Sequence, residues 1–395
     1  MKIQNIETLH CDAGWRIFSY VKITTDDGII GYSEYNESYG SRGVTRVIEQ
    51  MASVIQGADP IGHEPIFARL YAMTRQAPNG INAQAIAAIE NALLDVKGKA
   101  LGVPVYDLLG GAMRTRLPLY WSHCGTYRMN EVTAGYLNKP MLKSVDDLVG
   151  LGEEVRNAGF KALKCNMYMF GENNYVHGPG FGRSLKVPQF PELNAERNVI
   201  KALKAQMAAL REGIGDDVDI LLDMNFNFKT EGYLKVIRAL EPFDLFWYEL
   251  DMFNPEALAY IRQQGNVPIA SCESLYGLRE FRPFFEHQSM DVAIIDVPWN
   301  GIWQSWKIAA MADAHETNVA PHNFYGHLCS MMSAHFCAAV PNFRIMEIDI
   351  DDVAWKDDLV THPPVIENGE LVLSDRPGWG TDLNEDVIKQ HPPRV

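Results

Sequence analysis

At 395 residues the chain is long for one hydrophobic core, so a large domain with a smaller companion is expected. Its net charge of −15 disfavours nucleic acid and anionic membranes as partners, and no apolar run reaches the length of a membrane-spanning helix. The opening MKIQNIETLH lacks the charged and apolar regions of a signal peptide. Six scattered cysteines (Cys11, Cys124, Cys165, Cys272, Cys329, Cys337) show no CxxC spacing, so a cytoplasmic protein with reduced thiols is the expectation.

In chain order, residues 1–35 hold three strand-like runs, near 3–9, 17–24 and 29–34, and Asp26-Asp27-Gly28 gives the last two a hairpin turn. One nearby loop carries Gly14, Trp15 and Arg16, another Tyr39 and Arg42. Aromatic and charged loop residues point to ligand contact, which makes Trp15 and Arg16 candidate substrate-binding residues. From 44 to 110 the pattern turns helical, with an apolar stripe at Ile86, Ile89, Leu93, Leu94 and Val96 that Gly102-Val103-Pro104 breaks. Residues 1–116 therefore read as a small α+β unit.

A barrel is expected over residues 117–350. Apolar runs at 117–121, 160–167, 220–223, 245–249, 268–273, 291–296, 318–322 and 344–348 alternate with helical stretches such as 145–157, 306–315 and 328–339. That alternation is the mark of buried parallel strands joined by helical crossovers. The segment 168–193, rich in Gly, Pro, Asn and aromatics, is too long for a plain connection and is expected to be a lid or part of the site. Residues 351–395 are irregular and are expected to return to the N-terminal unit.

Three carboxylates, Asp223, Glu249 and Glu273, close three consecutive strand runs at intervals of roughly 25 residues, the length of one βα unit. Taken singly, each is as readily a helix N-cap or a solvated loop acid. Converging together, they would repel one another without a divalent ion, and oxygen-only ligands select a hard metal, Mg²⁺ first. His322 ends the seventh strand and Asp296 the sixth, so a carboxylate can orient the imidazole. Lys164 on the second strand is a carboxylate clamp, or a base if its pKa is lowered; the alternative is a lysine snorkelling to the surface. Glu347 on the eighth strand is a hydrogen-bonding partner for a developing enolate or a salt-bridge partner. Asn225, two residues past Asp223, is expected on the same strand face as a polar contact to substrate. His327 and His335 are expected to be packing or surface residues. A hard metal flanked by His and Lys suits removal of a proton next to a carboxylate, with the enediolate stabilised electrostatically.

These residues resemble the enolase superfamily, and within it the mandelate racemase group of acid-sugar dehydratases and racemases. The likeness covers nearly the whole chain. Its most specific part is the run from Ala88-Ile89-Glu90-Asn91-Ala92-Leu93-Leu94-Asp95 through Lys99, with Pro104-Val105-Tyr106-Asp107-Leu108-Leu109-Gly110-Gly111, which looks like the family's capping-domain signature. The resemblance implies an α+β capping domain over a modified TIM barrel, (β/α)7β, with the loops near Trp15 and Tyr39 closing over substrate. It implies metal ligands at Asp223, Glu249 and Glu273, a His-Asp dyad at His322 and Asp296, and an enolate-bonding acid at Glu347. It also implies a homo-oligomer.

Two departures bear on mechanism. Leu250-Asp251 follows Glu249 where relatives carry Glu-Pro, and Asn166 stands where the mandelate racemase pattern has a second lysine. Lys164-Cys165-Asn166 is similar to galactonate dehydratase, whose base is a His two residues past the first metal acid, but that position is Asn225. The base is then Lys164, Tyr168 or His322, with Asn166, Asn225 and Tyr168 contacting substrate. The expectation is a Mg²⁺-dependent dehydratase of a sugar acid or related hydroxy acid. A racemase or epimerase, and a non-catalytic ligand-binding paralogue, are the alternatives.

Overall fold

The structure, a computed structural model, describes residues 1–39, 41–178 and 194–394. Three antiparallel strands, Ile3–Ala13, Arg16–Thr25 and Ile30–Tyr35, form the N-terminal sheet. Helices Val44–Ile55, His63–Thr74 and Ile81–Leu101 follow. Residues 84–96 of the long third helix are buried on every face, not along one stripe. The reason is position: one side packs on the N-terminal sheet and its helices, the other on the barrel.

Eight parallel strands make the barrel: Arg116–Ser122, Ala162–Cys165, Asp219–Asp223, Trp247–Glu249, Ile269–Ser271, Val292–Asp296, Asn318–His322 and Met346–Asp349. They are called the first to eighth barrel strands below. The eighth pairs with the first, and a parallel bridge between Val319 and Phe343 joins the seventh to the eighth, closing the cylinder. Helices Asp147–Asn157, Arg197–Ile214, Thr230–Leu240, Pro255–Gln263, Gly277–Glu286, Ile302–Asp313 and His327–Ala339 are the seven crossovers, so the barrel is (β/α)7β. Inside it, an apolar cluster draws on the whole circle: Tyr120, Ala162, Leu221, Trp247, Ala270, Ile294, Ala320 and Ile345. Large rings from the first and fourth strands fill the space left by alanines on the second, fifth and seventh, so the centre is a packed core and not a pore.

Two boundaries differ from the sequence expectation in ways that matter. The fifth strand stops at Ser271, so Glu273 lies two residues past it, beyond Cys272 at φ 89°. The third strand stops at Asp223, and Asn225 has φ 44°. Strand alternation therefore does not carry from Asp223 to Asn225, and the expectation of a shared strand face is corrected. Of the segment 168–193, residues 168–169 and 175–176 form a small hairpin, and residues 179–193 lie outside the described residues.

After the barrel, a hairpin of Val365–Glu367 and Glu370–Val372 pairs antiparallel with the start of the first barrel strand. The chain then meets the N-terminal unit: the Trp379 indole N–H donates to the Tyr32 carbonyl at 2.8 Å, and the Asp12 N–H to the His391 carbonyl at 2.8 Å.

The signature around Ala88 is a docking device. Glu90 accepts the Trp303 N–H at 3.1 Å, Asn91 accepts the Ile302 N–H at 2.8 Å, and both thereby satisfy the start of a barrel helix. A Cβ on Gly301 would sit 2.3 Å from Glu90 Oε1, so only glycine fits there, at φ 81°. Asp95 takes the backbone N–H groups of Tyr32 and Trp379 and pairs with Lys99 at 2.7 Å. Glu34, from the N-terminal sheet, caps another barrel helix by accepting the N–H of Gly326 at 2.6 Å and of Cys329 at 2.9 Å. All six cysteines are buried and free, and no helix among the described residues is long and apolar enough to cross a membrane.

Burial lifts the Glu34 carboxyl from 4.5 to about 7, with the two helix N–H groups opposing only in part. An acid whose folded pKa is raised contributes stability that is complete below 4.5 and lost as pH climbs through 7. The thermal midpoint of the wild type, measured against Glu34→Gln, is therefore expected to fall across that window. A difference that stays flat with pH would contradict the assignment.

Candidate active site

The C-terminal ends of the barrel strands gather the charged side chains. Asp223 and Glu249 end the third and fourth strands and are register partners; Asp296 and His322 end the sixth and seventh and are partners likewise. Backbone pairing alone thus fixes which groups stand side by side.

His322 Nδ1 meets Asp296 Oδ2 at 2.6 Å, which leaves Nε2 facing Glu273 Oε2 at 3.5 Å. Asp296 is itself held by the Tyr325 hydroxyl and by the Trp299 N–H at 2.8 Å. The imidazole is packed against Trp299, Phe324 and Tyr325, with ring centroids at 5.6, 5.0 and 5.9 Å. Burial alone would lower its pKa, but the carboxylates of Glu273 and Asp296 outweigh that and lift it to about 10.

Lys164 is buried, with Nζ 2.9 Å from Glu249 Oε1, 2.8 Å from Glu347 Oε1 and 3.9 Å from Asp223 Oδ2. The Tyr120 ring lies 5.4 Å away. Burial would depress the amine, yet Glu249 and Glu347 reverse this and hold it well above the usual lysine value. The structure therefore presents Lys164 as a buried ammonium clamp that does not snorkel to the surface. Glu347 is fixed from three sides, by Lys164, by the Ser122 hydroxyl and by the Asn323 N–H at 2.6 Å. Burial opposes its ionisation, but Lys164 and His322 bring its pKa down to about 2.

The remaining acids crowd one another. Glu249 also accepts the Trp247 indole N–H at 3.1 Å; burial first, then Asp223 and Glu347, push its carboxyl up against the pull of Lys164. Burial and the charges of Asp251 and Asp223 raise Glu273 well above the carboxylate range although His322 opposes them. Asp251, which sequence reasoning noted only as a departure, belongs to the cluster. It is buried, takes the Cys272 N–H at 2.9 Å, and is raised to about 6 by burial and by Asp223. Its signal was the spacing of two residues from Glu249.

Among the described residues no three His, Cys, Asp or Glu side chains stand in ready-made metal-binding geometry. Glu249 is drawn to Lys164, and Glu273 to His322. The donor set nonetheless fits a hard divalent cation. It is all carboxylate and its members come from neighbouring strand ends; burial, and then crowding by other carboxylates, raises Glu249, Asp251 and Glu273, a cost that a cation would relieve.

Other expected site residues are placed differently. The Tyr168 hydroxyl donates to the Cys124 carbonyl and lies 3.1 Å from Thr126 Oγ1, and burial raises its pKa well above the usual tyrosine value, so the expected base role is corrected. Thr126 in turn donates to Asn166 Oδ1 at 2.7 Å, while Asn166 Nδ2 is buried without a partner among the described residues. The Asn225 N–H bonds Asp223 Oδ1 at 2.9 Å, and its own Oδ1 is buried and has no partner among the described residues. Arg16 is a strut between domains, not an open ligand contact: it is buried, donates to the Phe324 carbonyl and pairs with Asp352 at 2.5 Å and Asp349 at 3.4 Å. Trp15 packs on Tyr127 with ring centroids 4.5 Å apart. His327 pairs with Asp357 at 2.6 Å, and His335 is a core residue.

Two further residues escaped the sequence reading. His123 follows the first barrel strand at φ 44°, and Asp349 ends the eighth. A cleft of about 480 Å³ opens beside Trp299, lined also by Tyr276, Phe253 and Ser274 and, from the N-terminal part, by Tyr39 and Gln84.

Comparison with known proteins follows the same lines. The profile of enolase C-terminal domain-like proteins matches residues 148–387, and that of the mandelate racemase / muconate lactonizing enzyme N-terminal domain matches residues 13–110. The chain is 27% identical to D-xylonate dehydratase of Haloferax volcanii over 99% of its length and 89% of that protein's. It is also 27% identical to D-galactonate dehydratase of Pectobacterium atrosepticum over 98% and 94%. A Burkholderia xenovorans structure, provisionally called an L-alanine-DL-glutamate epimerase and bound to magnesium and fumarate, superposes with TM-score 0.96 at 53% identity, covering 100% of this chain and 97% of that one.

Removing Lys164 would leave Glu249 and Glu347 buried without their cation. Lys164→Met is expected to cost about 3–5 kcal/mol in denaturant unfolding without added metal. Adding Glu249→Gln should restore part of the loss, and strictly additive effects would contradict the clamp.

Proposed function

Because the chain belongs to the enolase superfamily, in its mandelate racemase and muconate lactonizing enzyme group, we propose that it is a Mg²⁺-dependent dehydratase of a sugar acid or related hydroxy acid. The observation that carries this reading is the His322–Asp296 dyad, whose Nε2 faces Glu273 in a carboxylate cluster that also holds Lys164. The sugar-acid dehydratases among its relatives support the substrate class.

Asp223, Glu249 and Glu273 would hold the cation, with Asp251 behind them fixing the backbone at Cys272. When bound, the cation supplies positive charge to the substrate carboxylate and so acidifies the neighbouring C–H. Lys164 adds a second positive charge at the same place, oriented by Glu347. With Glu273 drawn to the cation, His322 Nε2 would be released to take the α-proton, while Asp296 on Nδ1 both fixes the tautomer and stabilises the imidazolium that forms. The same imidazolium can then protonate a β-hydroxyl leaving on its own face, a syn elimination that one residue can complete. Burial around His322 by Trp299, Phe324 and Tyr325 keeps that proton from bulk water.

The name given to the Burkholderia structure favours one second reading, an epimerase, in which α-proton exchange occurs without loss of water. Incubation with a library of acid sugars and Mg²⁺, assayed for 2-keto acids and for deuterium uptake at the α-carbon, separates the two. Keto acid supports dehydration; exchange alone supports epimerisation; Mg²⁺ and ligand stabilisation without either supports a binding protein. His322→Asn is expected to abolish both keto-acid formation and exchange, and Asp296→Asn to lower them about 10²–10⁴-fold. Added Mg²⁺ should raise the thermal midpoint of the wild type, and EDTA should reverse it. Asp223→Asn should be indifferent to both.

A further inference from the structure

The first barrel strand delivers a second histidine to the same mouth. His123 Nδ1 lies 3.1 Å from Asp349 Oδ1 and 3.2 Å from Ser122 Oγ, and the ring stacks on Tyr127 with centroids 5.2 Å apart. Nε2 has no hydrogen-bond partner among the described residues, and the side chain keeps 12% of its surface exposed. Its position relative to the chemistry is fixed by short links. Ser122 donates to Glu347, the Cys124 N–H donates to the Lys164 carbonyl at 2.9 Å, and Phe324 lies against both imidazoles, 5.7 Å from His123 and 5.0 Å from His322.

The support for His123 matches that for His322 part for part. Each imidazole has a buried carboxylate on Nδ1, Asp349 or Asp296, and each carboxylate accepts a tyrosine hydroxyl: Tyr127 on the Asp349 oxygen that does not face His123, at 2.8 Å, and Tyr325 on the Asp296 oxygen that faces His322. Asp349 is held well below the carboxylate range; its burial acts against this, and His123 and Arg16 overcome it. The backbone at His123 is left-handed, a conformation costly for a residue with a Cβ, and such strain persists where the surrounding structure enforces a particular side-chain direction.

We infer that His123 is the second acid/base of this site, filling the proton-transfer role that Asn166 and Asn225 cannot. The inference rests on His322 as the base that takes the α-proton. The α C–H bond breaks, its proton goes to His322 Nε2, and the electron pair enters the carboxylate as an enediolate. As that pair returns to form the Cα–Cβ double bond, the Cβ–O bond breaks, and the departing oxygen takes the proton of the His123 imidazolium and leaves as water. The enol then takes one proton from solvent at Cβ and releases its O–H proton to solvent, becoming the 2-keto acid. His322 returns its proton to solvent and His123 regains one, so the cycle balances as loss of water. With two imidazoles the elimination is not confined to a single face.

The test uses His123→Asn, since asparagine tolerates the left-handed backbone. With Mg²⁺ and an acid sugar that the wild type dehydrates, the variant is expected to retain α-proton exchange with deuterated solvent while keto-acid formation falls at least about 100-fold in kcat, with KM little changed. Equal loss of exchange and elimination, equal retention of both, or a change confined to KM would overturn the proposal. A second measurement needs no turnover. In ¹⁵N-imidazole spectra of the wild type, with the His123 signal identified by its loss in the variant, adding fumarate and Mg²⁺ should shift the His123 Nε2 resonance together with that of His322. A shift of His322 alone would place His123 outside the reaction chamber and overturn the proposal. Should the wild type neither exchange nor eliminate with any acid, the dehydratase reading falls, while the fumarate spectra still decide His123.

Discussion

Surplus negative charge in a small, water-poor volume governs the design of this site. Asp223, Glu249, Asp251, Glu273, Asp296 and Glu347 all reach the rim of one barrel, and the nearest fixed cation is the buried ammonium of Lys164. Carboxylates so placed either take up protons or bind positive charge, because mutual repulsion at low effective dielectric far exceeds what solvent can screen. Glu347, with Lys164 and His322 against it, is held ionised although buried, whereas burial and the neighbouring Asp251 and Asp223 push Glu273 up against the pull of His322. A divalent cation and an anionic substrate would enter together as one solution to this imbalance. A strongly acidic protein can in this way draw in an acid.

Rigid supports make that arrangement possible. The barrel interior is packed solid by Tyr120 and Trp247 against alanines, so the charged side chains stand on a floor and cannot sink into it. Above, the N-terminal unit is fastened to the barrel by carboxylates that satisfy helix ends, Glu34 at Gly326 and Glu90 at Trp303, and by Arg16 between Phe324 and Asp352. These contacts use buried charge where apolar packing would serve for stability alone. What they add is direction: each backbone N–H accepts one geometry, so the unit can dock in one orientation and bring Tyr39 and Gln84 to the cleft beside Trp299.

Strain marks the places where the rim departs from regular structure. His123, Asn225 and Cys272 have left-handed φ within two residues of the ends of the first, third and fifth strands. Each redirects the chain just where a functional side chain must turn inward. Strand alternation, the rule from which their neighbours' directions would be read, ends one residue too soon. That is why the placements of Asn225 and Glu273 on strand faces did not hold while those of Asp223, Asp296 and His322, inside the ladders, could be read in advance.

The amino-acid sequence alone determined the eightfold alternation of apolar run and helix, and with it the barrel. Period and run length are local properties of the chain, as is the spacing that sends acids to adjacent strand ends. It also displayed the docking motif from Glu90 to Asp95, although not its purpose, since its partners Ile302, Trp303 and Trp379 are hundreds of residues away. Tertiary structure decided everything that depends on which distant groups meet. It committed the Lys164 amine to Glu249 and Glu347, turned the Tyr168 hydroxyl onto the Cys124 carbonyl, took Arg16 out of reach as a strut, and set Asp349 behind His123. A side chain's charge state and task follow from its neighbours, and barrel closure, which puts the eighth strand beside the first, chooses those neighbours from opposite ends of the chain.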